Sequence, residues 1–311
     1  MNSLLMNPLL KSLKQSQKLL LTGLFIASIA TAQDADRFKD VVIETTKLTD
    51  NIYMLVGAGG NIGVSAGEEG VFIIDDQFAP LTDKITAAIK EISDKPVKFV
   101  INTHWHGDHS GGNENFGKAG SVIMAHDNVH RRMSTDQFIA RFDAEVPAAP
   151  KVAQPVVTFN DELGLHLNGD NVRAHHISHA HTDGDSIIHF PESNVIHMGD
   201  TFFNGGYPFI DISSGGNVKG VIKAAKKALQ LANDDTQIIP GHGALSNKQG
   251  LQAYHDMLIQ VRDLVKAEID AGKSLEEATA AKPTATLDEQ WGQGFINADA
   301  IVAFVYESLT Q

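Results

Sequence analysis

The chain has 311 residues and a formal net charge of −13, and it contains no cysteine. Its apolar fraction of 42% and charged fraction of 20% are those of a folded globular protein rather than a disordered one. The negative charge and the lack of a large Lys/Arg cluster exclude nucleic acid as an expected partner, and without cysteine neither a disulfide nor a lipid-modified N-terminal Cys can form.

The N-terminal segment has the composition of a targeting sequence. Three lysines precede an apolar run over residues 19–30, which ends in Ala-Thr-Ala. This pattern predicts a secretory signal peptide over residues 1–32, cleaved before Gln33. An uncleaved anchor is the alternative, but the run is shorter than the roughly 20 apolar residues of a spanning helix. We therefore expect a periplasmic or secreted protein without a stable membrane anchor after cleavage.

Residues 33–311 predict one α/β domain, whose first half begins with strands. Short β-rich runs separated by Gly-rich turns lie at residues 52–56, 61–66 and 71–75. They predict a β-meander. Pro80 then opens an apolar pattern of helical spacing, and a further strand over residues 97–102 ends just before His104.

The second half repeats this mixture loosely. Strand-like runs lie at residues 156–159, 172–178, 186–190, 195–198 and 237–239. A helical stripe that begins at Val218 precedes the last of them. The C-terminal part is helical, with a stripe from Leu251, a capping box of Ser274 and Glu277, and a last helix over residues 297–309. Two sheets packed face to face with helices outside, a four-layered αββα arrangement, would accommodate these elements.

The densest group of potential metal ligands follows the strand at residues 97–102. Residues 103–112 read Thr-His-Trp-His-Gly-Asp-His-Ser-Gly-Gly. In a turning loop His104 and His106 can project to one side, while Asp108 and His109 turn toward a neighbouring point. One loop could therefore supply ligands to two adjacent metal ions. Exposed polar loop residues are the alternative, but so dense a cluster favours the metal site.

Three further candidate ligands, His181, Asp200 and His242, each follow a strand-like run in the second half. Loops that leave a sheet edge commonly carry functional groups. The ordered series His-x-His-x-Asp-His over residues 104–109, followed by these three residues, resembles the signature of the metallo-β-lactamase superfamily. It spans most of the chain after the signal peptide.

This resemblance implies a metallo-β-lactamase αββα sandwich with a centre of two Zn²⁺ ions. The implied ligands are His104, His106 and His181 for the first ion, Asp108, His109 and His242 for the second, and Asp200 as a bridge. Asp108 and Asp200 take the catalytic part, because the bridged hydroxide attacks an amide- or ester-like carbonyl and Asp108 can orient it. Imidazole and carboxylate suit Zn²⁺, and Fe and Mn accept the same ligands.

Several neighbouring residues have two interpretations. Asp75 resembles the aspartate that holds a ligand histidine in this family, or it is a plain turn residue. Three histidines next to His181 are expected to be structural or exposed, namely His175, His176 and His179. Five aromatic residues could line a pocket or pack in the core, namely Trp105, Phe202, Phe203, Tyr207 and Phe209.

The substrate prediction rests on departures from the family's patterns. The commonest penicillin-hydrolysing relatives have Cys where Asp200 stands and Lys where Phe203 stands. Asp200 instead resembles glyoxalase II and lactonases, whereas His109 resembles another lactamase subclass. We expect a β-lactamase-like hydrolase of a small molecule first, and a lactonase or other esterase second. A glyoxalase II-like thioesterase fits export less well, a phosphodiesterase is a further alternative, and a non-catalytic periplasmic metal-binding or accessory protein is the alternative of another class.

Overall fold

The computed structural model describes residues 37–311, so the predicted signal peptide and its cleavage site lie outside the described residues. Within this part, no helix combines the length and the apolar character needed to cross a bilayer. The N-terminal unit ends at Val41, and residues 42–311 form the unit that carries every element named below. The predicted domain boundary at residue 33 stays a prediction.

The strands of the described part are β1 (Glu44–Lys47), β2 (Ile52–Val56), β3 (Ile62–Gly67), β4 (Gly70–Ile74), β5 (Val97–Ile101), β6 (Val122–His126), β7 (Gln137–Ile139), β8 (Ala144–Val146), β9 (Val157–Phe159), β10 (Glu162–Leu167), β11 (Asp170–His176), β12 (Ser186–Phe190), β13 (Val195–His197), β14 (Gln237–Ile239) and β15 (Ser246–Asn247). The predicted runs at residues 52–56, 186–190 and 237–239 coincide with β2, β12 and β14. The other predicted strands differ from the observed ones by one or two residues at their ends.

The α-helices of the described part are α1 (Thr82–Ile92), α2 (Gly107–Ser110), α3 (Asn113–Lys118), α4 (Asp127–Met133), α5 (Val218–Leu231), α6 (Lys248–Asp270), α7 (Leu275–Ala280), α8 (Asp288–Trp291) and α9 (Ala298–Thr310). The predicted capping box is present at α7, where the Ser274 side chain accepts from the Glu277 amide and the Glu277 carboxylate accepts from the Ser274 amide. The last helix was predicted over residues 297–309 and is observed one residue further along the chain, over Ala298–Thr310.

Two sheets form the middle of the fold. The first has the order β1-β2-β3-β4-β5-β6-β9, and the second runs from β10 to β15 in sequence order. Strands β1 to β4 pair antiparallel, which confirms the predicted meander. Strand β4 is parallel to β5, and β13 is parallel to β14. Because parallel neighbours end at the same edge, the loops after β4 and β5 meet, as do those after β13 and β14.

The apolar core lies in layers between and outside the sheets. One cluster joins inward-facing residues of both sheets, for example Ile52 and Phe72 of the first sheet with Ile188 and Phe190 of the second. The rings of Phe72 and Phe190 stack across this layer with their centroids 6.0 Å apart. A larger cluster packs α5, α6 and α9 against the outer side of the second sheet. Helices α3 and α4 contact the first sheet, so the predicted four-layered αββα sandwich is confirmed.

Strands β7 and β8 form a small separate sheet that the sequence analysis did not anticipate. They bound a hairpin, residues 137–146, whose tip turns through Asp143 at a left-handed φ of 48°. The amide of Ala140 donates to the Ser213 side chain at 3.2 Å. The hairpin is thereby attached to the segment that follows β13.

Candidate metal centre

The seven predicted ligands all lie just beyond strand ends. His104 and His106 occupy the loop between β5 and α2, and Asp108 and His109 lie in α2. The other three come from the second sheet, with His181 after β11, Asp200 in the short 3-10 turn Gly199–Thr201 after β13, and His242 after β14. The structure brings these seven side chains into one cluster.

Their potential ligand atoms form groups in which all atoms lie within 4.8 Å of one another. One group is His104, His106 and His181, which we call the first triad. Another is Asp108, His109 and His242, which we call the second triad. These are the two sets that the family resemblance implies. The role of each side chain as a ligand stays a prediction, because only the grouping is observed.

Asp200 lies between the two triads. Its Oδ2 atom faces the first triad, 3.6 Å from His181 Nε2 and 3.9 Å from His104 Nε2. Its Oδ1 atom faces the second triad, 2.9 Å from His109 Nε2 and 3.3 Å from His242 Nε2. A carboxylate with one oxygen toward each group has the geometry of a bridge between two cations.

Asp75 orients the ring of His109. The Nδ1 atom of His109 lies 2.7 Å from Asp75 Oδ2, which also accepts from the Thr103 hydroxyl at 2.8 Å. Since that hydroxyl donates to Asp75, its free lone pair accepts from His104 Nδ1 at 3.0 Å. Both histidines therefore carry a proton on Nδ1 and aim Nε2 into the cluster. Burial holds the pKa of His104 well below its usual value, so the Nε2 of His104 is unprotonated. The interpretation of Asp75 as a residue that holds a ligand histidine agrees with this contact.

The other two histidines of the first triad are oriented by acceptors outside the cluster. The His181 Nδ1–H donates to the backbone carbonyl of Phe209 at 2.8 Å, which leaves Nε2 unprotonated. The His106 Nε2–H donates to Asp211 Oδ2 at 3.0 Å, which leaves Nδ1 toward the cluster. These two inward nitrogens are only 2.8 Å apart. In neutral imidazoles both carry lone pairs, which repel at that distance unless a positive charge lies between them.

Two buried atoms without normal hydrogen bonds also indicate that a cation fits inside the cluster. His104 Nε2 has no hydrogen-bond partner although its side chain is fully buried, and Asp200 Oδ1 makes no hydrogen bond of normal geometry. Buried polar atoms without partners are costly in the absence of a ligand. Imidazole nitrogen and carboxylate oxygen are the donors that divalent transition metals prefer. The cluster therefore fits a metal site.

The pKa values show an environment that favours positive charge. Burial alone would raise the pKa of Asp200, but His109 and His242 hold it well below its usual value. Burial likewise opposes ionisation of Asp108, yet the same two histidines lower its pKa to about 2. Burial lowers the pKa of His181 to about 4. Burial also opposes protonation of His109 and His242, but the neighbouring carboxylates raise the pKa of His109 well above its usual value and that of His242 to about 9. His181 thus offers a neutral imidazole to a cation, whereas a cation at the second triad would replace the protons of His109 and His242.

Two glycines permit the close approach of these loops. A Cβ atom on Gly241 would lie 2.2 Å from Asp200 Oδ1 and 2.5 Å from the Gly199 carbonyl oxygen. A Cβ atom on Gly60 would lie 2.1 Å from His109 Cε1. Any larger residue at either position would displace a predicted ligand.

The three histidines that precede His181 most closely lie outside the triads. His175 contacts Glu162, His176 donates to the Asp185 carbonyl, and the exposed His179 contacts the Gly215 carbonyl. None of these three occurs in a metal-competent group of the described residues. Their expected structural or exposed positions agree with these contacts.

Three of the five candidate aromatic residues contact histidines of the cluster. The ring of Phe203 stacks on His242 with centroids 5.1 Å apart, and Phe209 packs against His181 at 5.4 Å. Trp105 lies 4.8 Å from His106 and is buried in an apolar cluster. The other two, Phe202 and Tyr207, are buried in the core.

Two functional neighbours were absent from the sequence analysis. Asp211 holds His106, as described above. Asp185 accepts from the Thr182 amide at 2.6 Å and the Thr182 hydroxyl at 3.0 Å, and so fixes the turn that presents His181. Asp185 lies only four residues after His181, so its position next to a predicted ligand is visible in the sequence. No local pattern marks Asp211, which lies 105 residues from His106.

Comparison with known proteins identifies the family. The family model described as "Metallo-beta-lactamase superfamily" matches residues 51–242, a segment that contains all seven predicted ligands. A metallo-β-lactamase from Pontibacter korlensis has a TM-score of 0.57 at 18% identity and covers 70% of this chain and 99% of its own. An inverting sec-alkylsulfatase from Pseudomonas sp. has a TM-score of 0.65 at 16% identity, covering 86% of this chain and 50% of its own. At these identities the likeness shows a shared fold.

Curated relatives match over part of their length. A hydroxyacylglutathione hydrolase of Polaromonas sp. is 29% identical over 171 residues, which are 54% of this chain and 57% of the relative. The 2,4-dinitroanisole O-demethylase subunit alpha of Nocardioides sp. is 27% identical over 143 residues, which are 45% of this chain and 40% of the relative. The matched segments therefore span about half of these relatives.

Proposed function

Because the chain belongs to the metallo-β-lactamase superfamily, we propose that its mature form is an exported hydrolase that holds two zinc ions and cleaves an amide- or ester-like bond of a small molecule. The position of Asp200 carries this proposal, since its two oxygens face separate triads. Export rests on the signal-peptide pattern of residues 1–32. The two-ion count rests on the two triads and the bridging geometry.

When bound, divalent cations would supply an acidified water and a positive charge beside the substrate carbonyl oxygen. The chain's own residues divide the remaining work. Asp200 is 5% exposed and holds the two triads together, whereas Asp108 is 27% exposed and faces the open side. With its pKa lowered to about 2, Asp108 is ionised at neutral pH and would accept a hydrogen bond from an attacking water. The stacked ring of Phe203 limits rotation of the partly exposed His242.

A β-lactam is the first proposed substrate class and a lactone or other ester the second. Thioester hydrolysis is also supported, because one curated relative is a hydroxyacylglutathione hydrolase and Asp200 resembles the bridge of that enzyme class. Export argues against a cytoplasmic thioester as the natural substrate. A metal-binding accessory protein without activity would share the ligand cluster and differ only in turnover.

The test is metal analysis followed by a substrate panel. The purified protein is expected to bind two zinc ions and to hydrolyse at least one of a chromogenic cephalosporin, a lactone, a thioester and an aryl phosphate. Replacing His181 with asparagine is expected to remove metal and activity. The matched control is His179→Asn, because His179 is exposed, lies two residues away and has a left-handed φ of 53° that asparagine tolerates.

The outcomes separate the alternatives. Turnover of the cephalosporin supports the β-lactamase assignment, and turnover of the thioester alone supports the thioesterase. Two bound metals without turnover of any substrate would favour the accessory protein. A chain that binds no divalent metal, or a His181→Asn variant with unchanged metal content, would contradict the proposed centre.

A further inference from the structure

A cavity of about 230 Å³ is lined by Phe209 and Asp211, which contact His181 and His106 of the first triad. We call it the side pocket. Its lining is mainly apolar and includes Phe209, Ile212, Ala303 and Phe304, with Arg141, Asp211 and Glu307 as its charged members. The hairpin contributes Arg141, and helix α9 contributes Ala303, Phe304 and Glu307. The pocket therefore has walls from three separate parts of the chain.

Phe209 separates this pocket from the metal ligands by a single ring. Its ring lies 5.9 Å from that of His106 and 5.4 Å from that of His181, measured between centroids. On its other side it lies 5.2 Å from Phe142 and 5.5 Å from Phe304. A substrate whose reacting carbonyl lies at the triads would therefore reach the side pocket only with a substituent that extends past this ring.

Exposed aromatic residues concentrate at the same place. In the described part of the chain, the large aromatic side chains that remain exposed are Phe138, Phe142 and Phe295. Phe142 contacts Phe295 at 5.9 Å as well as Phe209. Exposed aromatic rings next to a cavity mark a ligand surface more often than a structural one, because water contact opposes their exposure.

The size of the pocket limits its occupant. An apolar cavity of about 150 Å³ admits benzene, so 230 Å³ admits one substituted ring. Pockets that enclose a whole drug-sized ligand measure about 300–1,000 Å³, so this one holds a substituent rather than the entire substrate. The Arg141 guanidinium lies 6.0 Å from the Phe304 ring, where it can also face a second ring. We infer that the side pocket binds an aryl substituent on the acyl side of the substrate, an inference that rests on the proposed function.

The pocket shares a hydrogen-bonded turn with the metal centre. The Ala140 amide of the hairpin donates to Ser213 Oγ, which in turn donates to Asp211. Asp211 accepts from His106. The wall of the pocket and one predicted metal ligand are therefore held by the same short segment, so an aryl group in the pocket has a defined position relative to the first triad.

The test compares two thioesters with the same methanethiol leaving group, one with a phenylacetyl and one with an acetyl group. This leaving group has no ring, so only the acyl side can occupy the pocket. For the zinc-loaded enzyme we expect kcat/KM for the phenylacetyl thioester, corrected for its intrinsic reactivity, to exceed that for the acetyl thioester about ten- to hundredfold. Phe142→Ala and Ala303→Leu are expected to reduce this ratio, the first by removing the ring that packs against Phe209 of the pocket wall and the second by filling the space.

Phe138→Ala is the matched control. Phe138 lies on the same hairpin and is 49% exposed against 46% for Phe142. The ratio is expected to stay at its wild-type value in this variant. Equal ratios in the Phe138 and Phe142 variants, or a wild-type ratio near one, would overturn the aryl subsite while leaving the hydrolase proposal intact.

A second measurement does not depend on turnover. Saturation-transfer NMR of phenylacetate with the zinc-loaded protein is expected to show ring signals for the wild type and Phe138→Ala, and weaker ones for Ala303→Leu. If no thioester is hydrolysed, this binding result alone decides the inference, and the substrate panel separately decides the proposed function. Identical ring signals in all three proteins would refute the side pocket as the binding place.

Discussion

Replacing Asp211 with asparagine is expected to weaken cation binding at the first triad without removing any ligand. In the native site both carboxylate oxygens of Asp211 accept hydrogen bonds, Oδ2 from His106 and Oδ1 from the Ser214 amide. Asparagine offers one acceptor and one donor. In either orientation its NH₂ group would face another donor, so His106 would lose its orienting partner or the turn would lose its own.

The magnitude follows from the burial and the contacts. Loss of a partner that orients a metal-bound histidine costs about 10–100-fold in metal affinity, which corresponds to about 1.4–2.8 kcal/mol. Asp211 is 2% exposed, so water cannot replace the missing acceptor. The same mismatch should lower the free energy of unfolding by about 1–3 kcal/mol. Because His106 belongs to the first triad alone, the affinity of the second triad should change little.

Zinc affinity would be measured by competition with a chromophoric chelator at constant pH, in a format that resolves two binding constants. Ser213→Ala is the control, since it removes one hydroxyl donor to Asp211 and keeps the carboxylate and its contact with His106. We expect one constant to weaken in Asp211→Asn and both to stay near wild type in the control. If Asp211→Asn retained both wild-type constants, the orientation of His106 by Asp211 would have no energetic weight and the reasoning would be wrong.

Two further predictions concern packing and pH. Gly241→Ala places a Cβ atom 2.2 Å from Asp200 Oδ1 and should reduce the zinc bound per chain, whereas Gly206→Ala, where the nearest atom is 3.9 Å away, should leave the zinc content unchanged in metal analysis. Burial and the stacked ring of His126 lower the pKa of His176 to about 4. An unfolded histidine titrates near 6.5, so the unfolded chain binds more protons between these values and the free energy of unfolding should fall as pH drops from 6.5 toward 4. Denaturant titrations should show a shallower fall for His176→Phe, and an identical fall would contradict the assignment.

The sequence by itself determined most of the secondary structure and the composition of the candidate site. Helical spacing and alternating apolar runs are local patterns, and they located β2, β12 and α5 because those elements bury one face or both. The ligand residue types were also local information, since a His-rich loop between a strand and a short helix has few structural explanations. The hairpin over residues 137–146 lacked such a pattern, because its strands are short and only partly buried.

Tertiary structure alone decided how the cluster is charged and oriented. The proton positions on His106 and His181 depend on Asp211 and on the Phe209 carbonyl, which lie 105 and 28 residues away along the chain. The packing of the second sheet against the first sets those contacts, and a backbone carbonyl carries no sequence signal at all. The same packing places Phe209 between the triad and the side pocket. A sequence can therefore name the ligands, whereas the direction of each lone pair follows from which strand ends meet.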